Sequence, residues 1–382
     1  MKLLSVVGAR PNFMKIAPLA AAVAAHNRQF PEATVQHVLV HSGQHYDPTL
    51  SSRFFEELGI PDPDYHLDVG SGSHAYQVGM TMIGFETVLL KERPDWVIVV
   101  GDVNATCACS LTAKKHQFRV AHIEAGLRSN DWSMPEEVNR VVTDRLSDIL
   151  FTTCRFADAN LALEGVAADK IAFVGNIMID TLEGQRAQAA GRDPAEILRA
   201  NRVADLPVEI HAPLDQNGFG VLTLHRPSNV DDPATLTQNL ELIFELAEKL
   251  PIIFPVHPRT AGRFKEFGLW KRLTSNPRVV VVQPLGYLDL LTLTSAARVV
   301  LTDSGGIQEE CCVVGTPCLT LRANTERPAT LAENGGTNYL VGIEPLHVKE
   351  VFHRVLNQPR KPYRPPLWDG HTAERILKRL CA

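Results

Sequence analysis

Three acidic residues, Asp102, Glu124 and Glu136, fall in the first half of this 382-residue chain, and a Ser304-Gly305-Gly306 run falls in the second. The two groups suit different chemistry. Carboxylates gathered at one place divide general-base and general-acid work when their surroundings set their pKa values apart. Two glycines after a strand let the backbone approach a ligand closely, and the N–H groups opening the next helix attract phosphate. Glu310, one turn further on, is suited to accept hydrogen bonds from two ribose hydroxyls. Arg10, Lys15, Arg327 and His225 make a cationic set able to neutralise a diphosphate, the arginines by bidentate contact. Glu136 follows Pro135, a residue favoured at the first helical position, so Glu136 and Arg140 share one helix face at i and i+4. A surface ion pair there and a plain βα turn at the glycines are the structural alternatives.

Other phosphate-binding motifs are missing. Gly8-Ala9-Arg10-Pro11 is not GxGxxG, and Pro11 obstructs that turn, which argues against dinucleotide redox chemistry. No GxxxxGK[ST] run occurs, which argues against an NTPase.

The elements that must position these residues alternate along the chain. Short β-branched runs separated by helical stretches are the pattern of parallel α/β sheets. In the first half the strands expected are Leu3–Gly8, Thr34–His41, Trp96–Gly101, Val120–Glu124, Ile149–Thr153 and Ile171–Gly175. A helix is expected over Ala75–Lys91, apolar at Val78, Met82, Phe85 and Leu89. In the second half the strands expected are Gly220–His225, Ile252–His257, Val279–Gln283, Val299–Thr302, Cys318–Leu321 and Tyr339–Gly342. Ligands of such sheets bind beyond the C-terminal strand ends, and that is where the polar residues above cluster. His122 and Arg128 also lie near such an end. The fold expected is therefore α/β with two Rossmann-like domains, residues 1–182 and 218–366. An Ala-, Arg-, Asp- and Pro-rich stretch, 183–217, reads as a partly helical linker. A last amphipathic helix within 367–382 is expected to dock on the first domain.

Bulk properties narrow the function further. The chain is 45% hydrophobic and 21% charged with a net charge of −5, ordinary for a globular protein and unfavourable to a broad nucleic-acid-binding face. Seven cysteines without ligand spacing read as reduced thiols. Met1–Val7 is too short for a signal segment, and no run of 18 apolar residues occurs, so a cytoplasmic protein away from membranes is expected.

In chain order the motifs are Gly8-Ala9-Arg10-Pro11 with Lys15, Gly43-Gln44-His45, Gly101-Asp102, and His122-Ile123-Glu124-Ala125-Gly126-Leu127-Arg128. Pro135-Glu136-Glu137 with Asn139-Arg140, Val174-Gly175-Asn176, His225-Arg226 and Pro255-Val256-His257-Pro258 follow, then Asp303 to Glu310 and Thr325-Glu326-Arg327-Pro328. This series resembles the non-hydrolysing UDP-N-acetylglucosamine 2-epimerases. The resemblance implies a GT-B-like fold with a cleft between the domains, a homodimer, and no metal or cofactor. It implies that Arg10, Lys15, Ser304, Gly305, Gly306, Glu310 and Arg327 bind UDP, that Asp102, Glu124, Glu136 and His225 surround the sugar, and that backbone near Leu285 and Leu290 meets the uracil. It implies epimerisation by loss of UDP to a 2-acetamidoglucal and re-addition. Some members have a second, activating UDP-sugar site; Gln44-His45-Tyr46-Asp47 and His225-Arg226-Pro227-Ser228-Asn229 depart from its pattern, so that property is not carried over. Rival readings are a 2-epimerase of a UDP-2,3-diacetamido uronic acid, a hydrolysing 2-epimerase, a GT-B glycosyltransferase and a non-catalytic UDP-sugar-binding protein.

Overall fold

Runs such as Trp96-Val97-Ile98-Val99-Val100 have no polar alternation, so both faces of the strand must be covered, as in a sheet flanked by helices. The computed structural model describes residues 1–43, 57–203 and 218–382, together forming two α/β units. The side chain of Arg10 and the Gln44-His45 pair lie outside the described residues.

The first unit spans Met1–Gly184 and Pro365–Ala382. Its strands are β1 (Lys2–Val7), β2 (Gln36–His41), β3 (Tyr65–His66), β4 (Trp96–Val100), β5 (Val120–Ala125), β6 (Ile149–Thr152) and β7 (Ile171–Phe173). They form one parallel sheet in the order β3-β2-β1-β4-β5-β6-β7. The second unit spans Gln185–Arg364. There β8 (Gly220–Thr223), β9 (Ile252–Pro255), β10 (Val279–Val282), β11 (Val299–Thr302), β12 (Cys318–Thr320) and β13 (Asn338–Leu340) pair in parallel as β10-β9-β8-β11-β12-β13. In both sheets strand order reverses beside the first strand, between β1 and β4 and between β8 and β11. Such a switch point opens the crevice where parallel sheets bind ligands.

The strands end earlier than their composition suggests. Gly101, Gly175 and Gly342 lie just past the ends of β4, β7 and β13 with φ of 65°, 94° and 64°. That left-handed backbone turns the chain out of the sheet. The two-residue β3 has no β-branched run to announce it. Of the apolar positions expected to face inward on the helix His74–Glu92, Phe85 and Leu89 are buried. Of the stretch read as a partly helical linker, 183–217, the described residues 183–203 include a helix that packs into a core. The helix Pro194–Ala200, capped by Asp193 and opened by Pro194, buries Ile197 and Leu198 in a second-unit core with Val221, Ile253 and Leu285. Two apolar side chains suffice there, too few to show as a periodic pattern. The final helix, Thr372–Cys381, belongs to the first unit: Asp180 accepts from its Thr372 and Ala373 N–H groups at 3.1 and 2.7 Å, and Trp368 donates to the Thr153 carbonyl at 2.8 Å. Among the described residues no helix is long and apolar enough to cross a membrane.

Candidate active site

At the first switch point a short polar chain ties β1 to β4. The Asn12 side chain accepts from the Gly8 and Ala9 N–H groups at 3.2 and 3.1 Å and donates to the Val100 carbonyl at 2.9 Å. Asn12 and Lys15 lie on the helix Arg10–Gln29, and Lys15 Nζ reaches Glu124 Oε2 at 2.5 Å with both residues buried. Glu124 sits in a register irregularity of β5 with φ of 74°. A non-glycine residue in that region is strained, and strain of this kind collects where a side chain must be aimed. Its carboxylate faces Gly101: a Cβ built there would lie 3.0 Å from Lys15 Nζ and 4.0 Å from Glu124 Oε1, so glycine leaves room for the pair.

Asp102 follows that glycine and is ion-paired with buried Arg140. Arg140 also binds Glu137, Nη2 to Oε2 at 2.5 Å. Glu137 accepts from the Ser129 and Asn130 N–H groups at 3.0 and 2.8 Å. Burial pushes the Glu137 carboxyl up, but those N–H groups and Arg140 outweigh it and hold it below the usual range. Asn139 donates to the Asp102 carbonyl at 2.9 Å. Glu136 is half-buried in the first turn of the same helix, Pro135–Leu146. The structure thus gathers Lys15, Glu124, Asp102 and Arg140, and it adds Glu137 and Asp144, which sequence reasoning passed over. Positions 137, 140 and 144 recur at helical spacing on one face, but 136 and 140 do so too, so spacing alone does not choose between the two glutamates.

At the second switch point Asp303, fully buried, organises the end of β8. It accepts from the His225 and Arg226 N–H groups at 2.9 and 2.8 Å, from Asn229 Nδ2 at 3.0 Å, and meets His225 Nδ1 at 2.7 Å. Burial raises its pKa, but His225 and these donors lower it to about 2. With Nδ1 engaged, Nε2 is the ring atom left for a ligand. Ser304 N donates to Thr302 Oγ1 at 3.0 Å, and the helix Gly305–Val314 begins. The N–H groups of its first turn have no acceptor within the helix. A Cβ at Gly305 would lie 2.7 Å from Glu326 Oε1 and 3.8 Å from Arg327 Nη2, so this glycine admits close approach beside a guanidinium. Gly306 continues the turn, Arg327 Nε pairs with buried Glu309 Oε1 at 3.0 Å, and Arg322 pairs with Glu326 at 2.7 Å. Glu310 is hydrogen-bonded to Tyr287; burial and then that carboxylate push the phenol well above its ordinary value. Leu285 is a core residue, and Leu290's amide donates to the Gly286 carbonyl, so its N–H is spent inside its own helix.

Two Rossmann-like units, one holding carboxylates with buried cations and the other a glycine turn with an adjacent arginine, place the chain among two-domain parallel α/β proteins with polar residues at the strand ends where ligands bind. The chain matches the family described as UDP-N-acetylglucosamine 2-epimerase over residues 28–381 and belongs to it. It is 40% identical over 381 residues to the UDP-N-acetylglucosamine 2-epimerase of Methanocaldococcus jannaschii, covering 99% of this chain and 98% of that one. The crystal structure of the M. jannaschii UDP-GlcNAc 2-epimerase in complex with UDP-GlcNAc and UDP superposes with a TM-score of 0.88 over 100% of this chain and 99% of that one, at 40% identity. The UDP-2,3-diacetamido-2,3-dideoxy-D-glucuronate 2-epimerase of Pseudomonas aeruginosa is 41% identical over 345 residues, 90% of this chain and 88% of that one.

Proposed function

We propose that this epimerase interconverts UDP-N-acetylglucosamine and UDP-N-acetylmannosamine. The observation that carries the mechanism is Glu124, buried, strained and held against Lys15 beside the Asp102 turn. The substrate's H2 is not adjacent to a carbonyl, so its removal needs UDP to leave from C1. One carboxylate takes H2 while the C1–O bond breaks, giving a 2-acetamidoglucal and UDP. A proton then reaches C2 from the opposite face and UDP re-forms the C1–O bond. The second unit would stabilise the departing diphosphate through Ser304, Gly305, Gly306, Arg327 and His225, and Arg10 and Lys15 are the first-unit cations assigned to it. Glu310 would hold the ribose, and backbone near Leu285 and Leu290 the uracil. Asp102, Glu124 and Glu136 would share base and acid roles, with Arg140 fixing Asp102. The route needs no metal or redox cofactor.

The Pseudomonas relative supports a second reading, a UDP-2,3-diacetamido uronic acid as substrate. Its extra carboxylate would call for another cation. Among the described residues Arg140, the cation beside Asp102, is already paired with Asp102 and Glu137, which favours the uncharged sugar. Incubation in heavy water followed by NMR tests the proposal: the recovered UDP-sugar should be a C2-epimer mixture carrying deuterium at C2. Epimerised product without deuterium would exclude elimination, and free UDP with N-acetylmannosamine in step with turnover would mark a hydrolase.

We also infer a cytoplasmic homodimer. The seven cysteines are free thiols, as suits a reducing compartment. Tyr76, Met80, Ile83 and Leu90 are exposed at 3–4 and 7 residue spacing on the helix His74–Glu92, an apolar seam that a second copy would cover. Light scattering should give twice the chain mass at micromolar concentration, falling to the monomer in Ile83→Asp.

A further inference from the structure

His122 lies two residues before Glu124 on β5 and is fully buried. Its ring joins two turns. Nε2 is 2.8 Å from the carbonyl of Gly101, the residue before Asp102. Nδ1 is 2.6 Å from Asp144 Oδ1. The other Asp144 oxygen accepts from the Gly126 N–H at 3.0 Å and meets Arg128 Nη1 at 2.7 Å, and Gly126 closes the turn two residues after Glu124. Arg128 continues outward to Glu164 at 2.7 Å. The carbonyl of Gly101 can only accept, so Nε2 bears a proton; Nδ1 and Asp144 Oδ1 at 2.6 Å would meet lone pair to lone pair without a hydrogen, so a second proton sits between them. Ring and carboxylate together hold two protons. Glu164, partly exposed, is where this chain of alternating charge meets solvent.

We propose that His122 is a positioning residue for epimerisation: with Asp144 it spans the Asp102 turn and the Glu124 turn and sets how the two carboxylates face the sugar carbon. The inference rests on the reading of those carboxylates given above. Glu124 is held in a left-handed conformation at an irregularity of its strand, and Gly101 is left-handed too. A strained glutamate and a freely turning glycine need an outside tie to keep one geometry, and His122 with Asp144 supplies it. Geometric errors of about 1 Å in an acid–base group cost on the order of 100-fold in rate.

The test compares wild type, His122→Phe, His122→Gln and Asp144→Asn as full chains. Phenylalanine fills the space and ties nothing; glutamine can still donate an N–H to the Gly101 carbonyl. Turnover should fall about 100-fold in His122→Phe and Asp144→Asn and by a clearly smaller factor in His122→Gln. KM for the UDP-sugar and the affinity for UDP by calorimetry should stay within about threefold, since the nucleotide falls to the second unit. Deuterium incorporation at C2 should drop in step with turnover. Nitrogen-15 spectra of the ring should show protons on both nitrogens of His122 in the wild type and on one in Asp144→Asn. Full activity in His122→Phe, beside an active wild type, would overturn the inference alone. So would a loss of turnover, UDP affinity and melting temperature together, which would mark a purely structural core histidine. A wild type inactive on both candidate sugars would instead bring down the proposed reaction, and this inference with it.

Discussion

The two switch points share one topology and are furnished in opposite ways. Between β1 and β4 the polar side chains are tied mainly to each other: Lys15 to Glu124, Arg140 to Asp102 and Glu137, His122 to Asp144. Between β8 and β11 the aspartate is spent on backbone N–H groups, the Asn229 amide and one histidine, and a glycine turn follows it. A site that moves protons needs carboxylates whose charge is tuned by neighbours, while a site that holds a nucleotide needs donors whose geometry is preset. In the proposed function the same sheet order would serve both, because the residues just past the strand ends differ.

The largest test of this division is a stability measurement in the second unit. Arg327→Ala breaks a buried ion pair with Glu309 and should cost about 3–5 kcal/mol of folding free energy, besides weakening UDP binding. From sequence Arg327 read only as part of a diphosphate-binding cationic set; its pairing with buried Glu309 adds the folding cost. Urea unfolding should show most of the loss recovered in the double variant Arg327→Gln, Glu309→Gln. A midpoint unchanged in Arg327→Ala would show that the pair is not buried in solution.

The catalytic half of the comparison comes next. Glu124→Gln and Asp102→Asn should each lower turnover by about 100-fold or more, as expected for a positioned acid–base group. Calorimetry should find UDP affinity nearly unchanged in both. If either variant loses nucleotide binding in step with turnover, the division of labour between the units is wrong.

Acid should separate the units as well. Burial lowers His37 and His41 to about 4 from the ordinary 6.5. Folding keeps them neutral while the unfolded chain accepts protons, so first-unit stability should fall as pH drops from about 6.5 to about 4. Asp303 is held at about 2 against an ordinary 3.8. Its contribution, about 2 kcal/mol at 1.4 kcal/mol per unit, is complete above the ordinary carboxylate value and is lost as pH falls from about 4 to 2. Amide exchange corrected for intrinsic pH dependence should therefore show first-unit peptides losing protection at pH 5 while second-unit peptides hold. The reverse order would contradict these assignments.

The smallest effect concerns the two site glycines. Gly101→Ala forces a left-handed alanine and presses on Lys15, a cost of about 1–2 kcal/mol that should appear in turnover more than in UDP affinity. Gly305→Ala meets Glu326 and should do the opposite, lowering UDP affinity with turnover at saturation retained. Equal responses of the two variants would blur the comparison.

Much of this was legible in the chain. Apolar runs bounded by glycine located the strands, and their alternation with helical stretches implied parallel sheets, because strand burial on both faces is written in composition. The polar residues after the strands marked the candidate sites, since ligands of parallel sheets bind beyond the C-terminal strand ends. Rotation within the helix after Pro135 was not legible. Pro135-Glu136-Glu137 offers two adjacent glutamates, and only packing against β5 turned Glu137 inward to Arg140 while Glu136 stayed half-buried. The stretch 183–217 read as linker because Ile197 and Leu198 on a seven-residue helix make no period, although they join a core.

The amino-acid order by itself determined the two sheets, the glycines at their mouths and the inventory of acids and bases, because those depend on local propensity and on burial averaged along a segment. Which acid meets which base was decided only in three dimensions. Lys15 and Glu124 are 109 positions apart in number, Asp102 and Arg140 thirty-eight, His225 and Asp303 seventy-eight. Such pairings follow from strand order and from single-residue features such as the left-handed Glu124, and no local pattern encodes the spatial neighbour of a strand end.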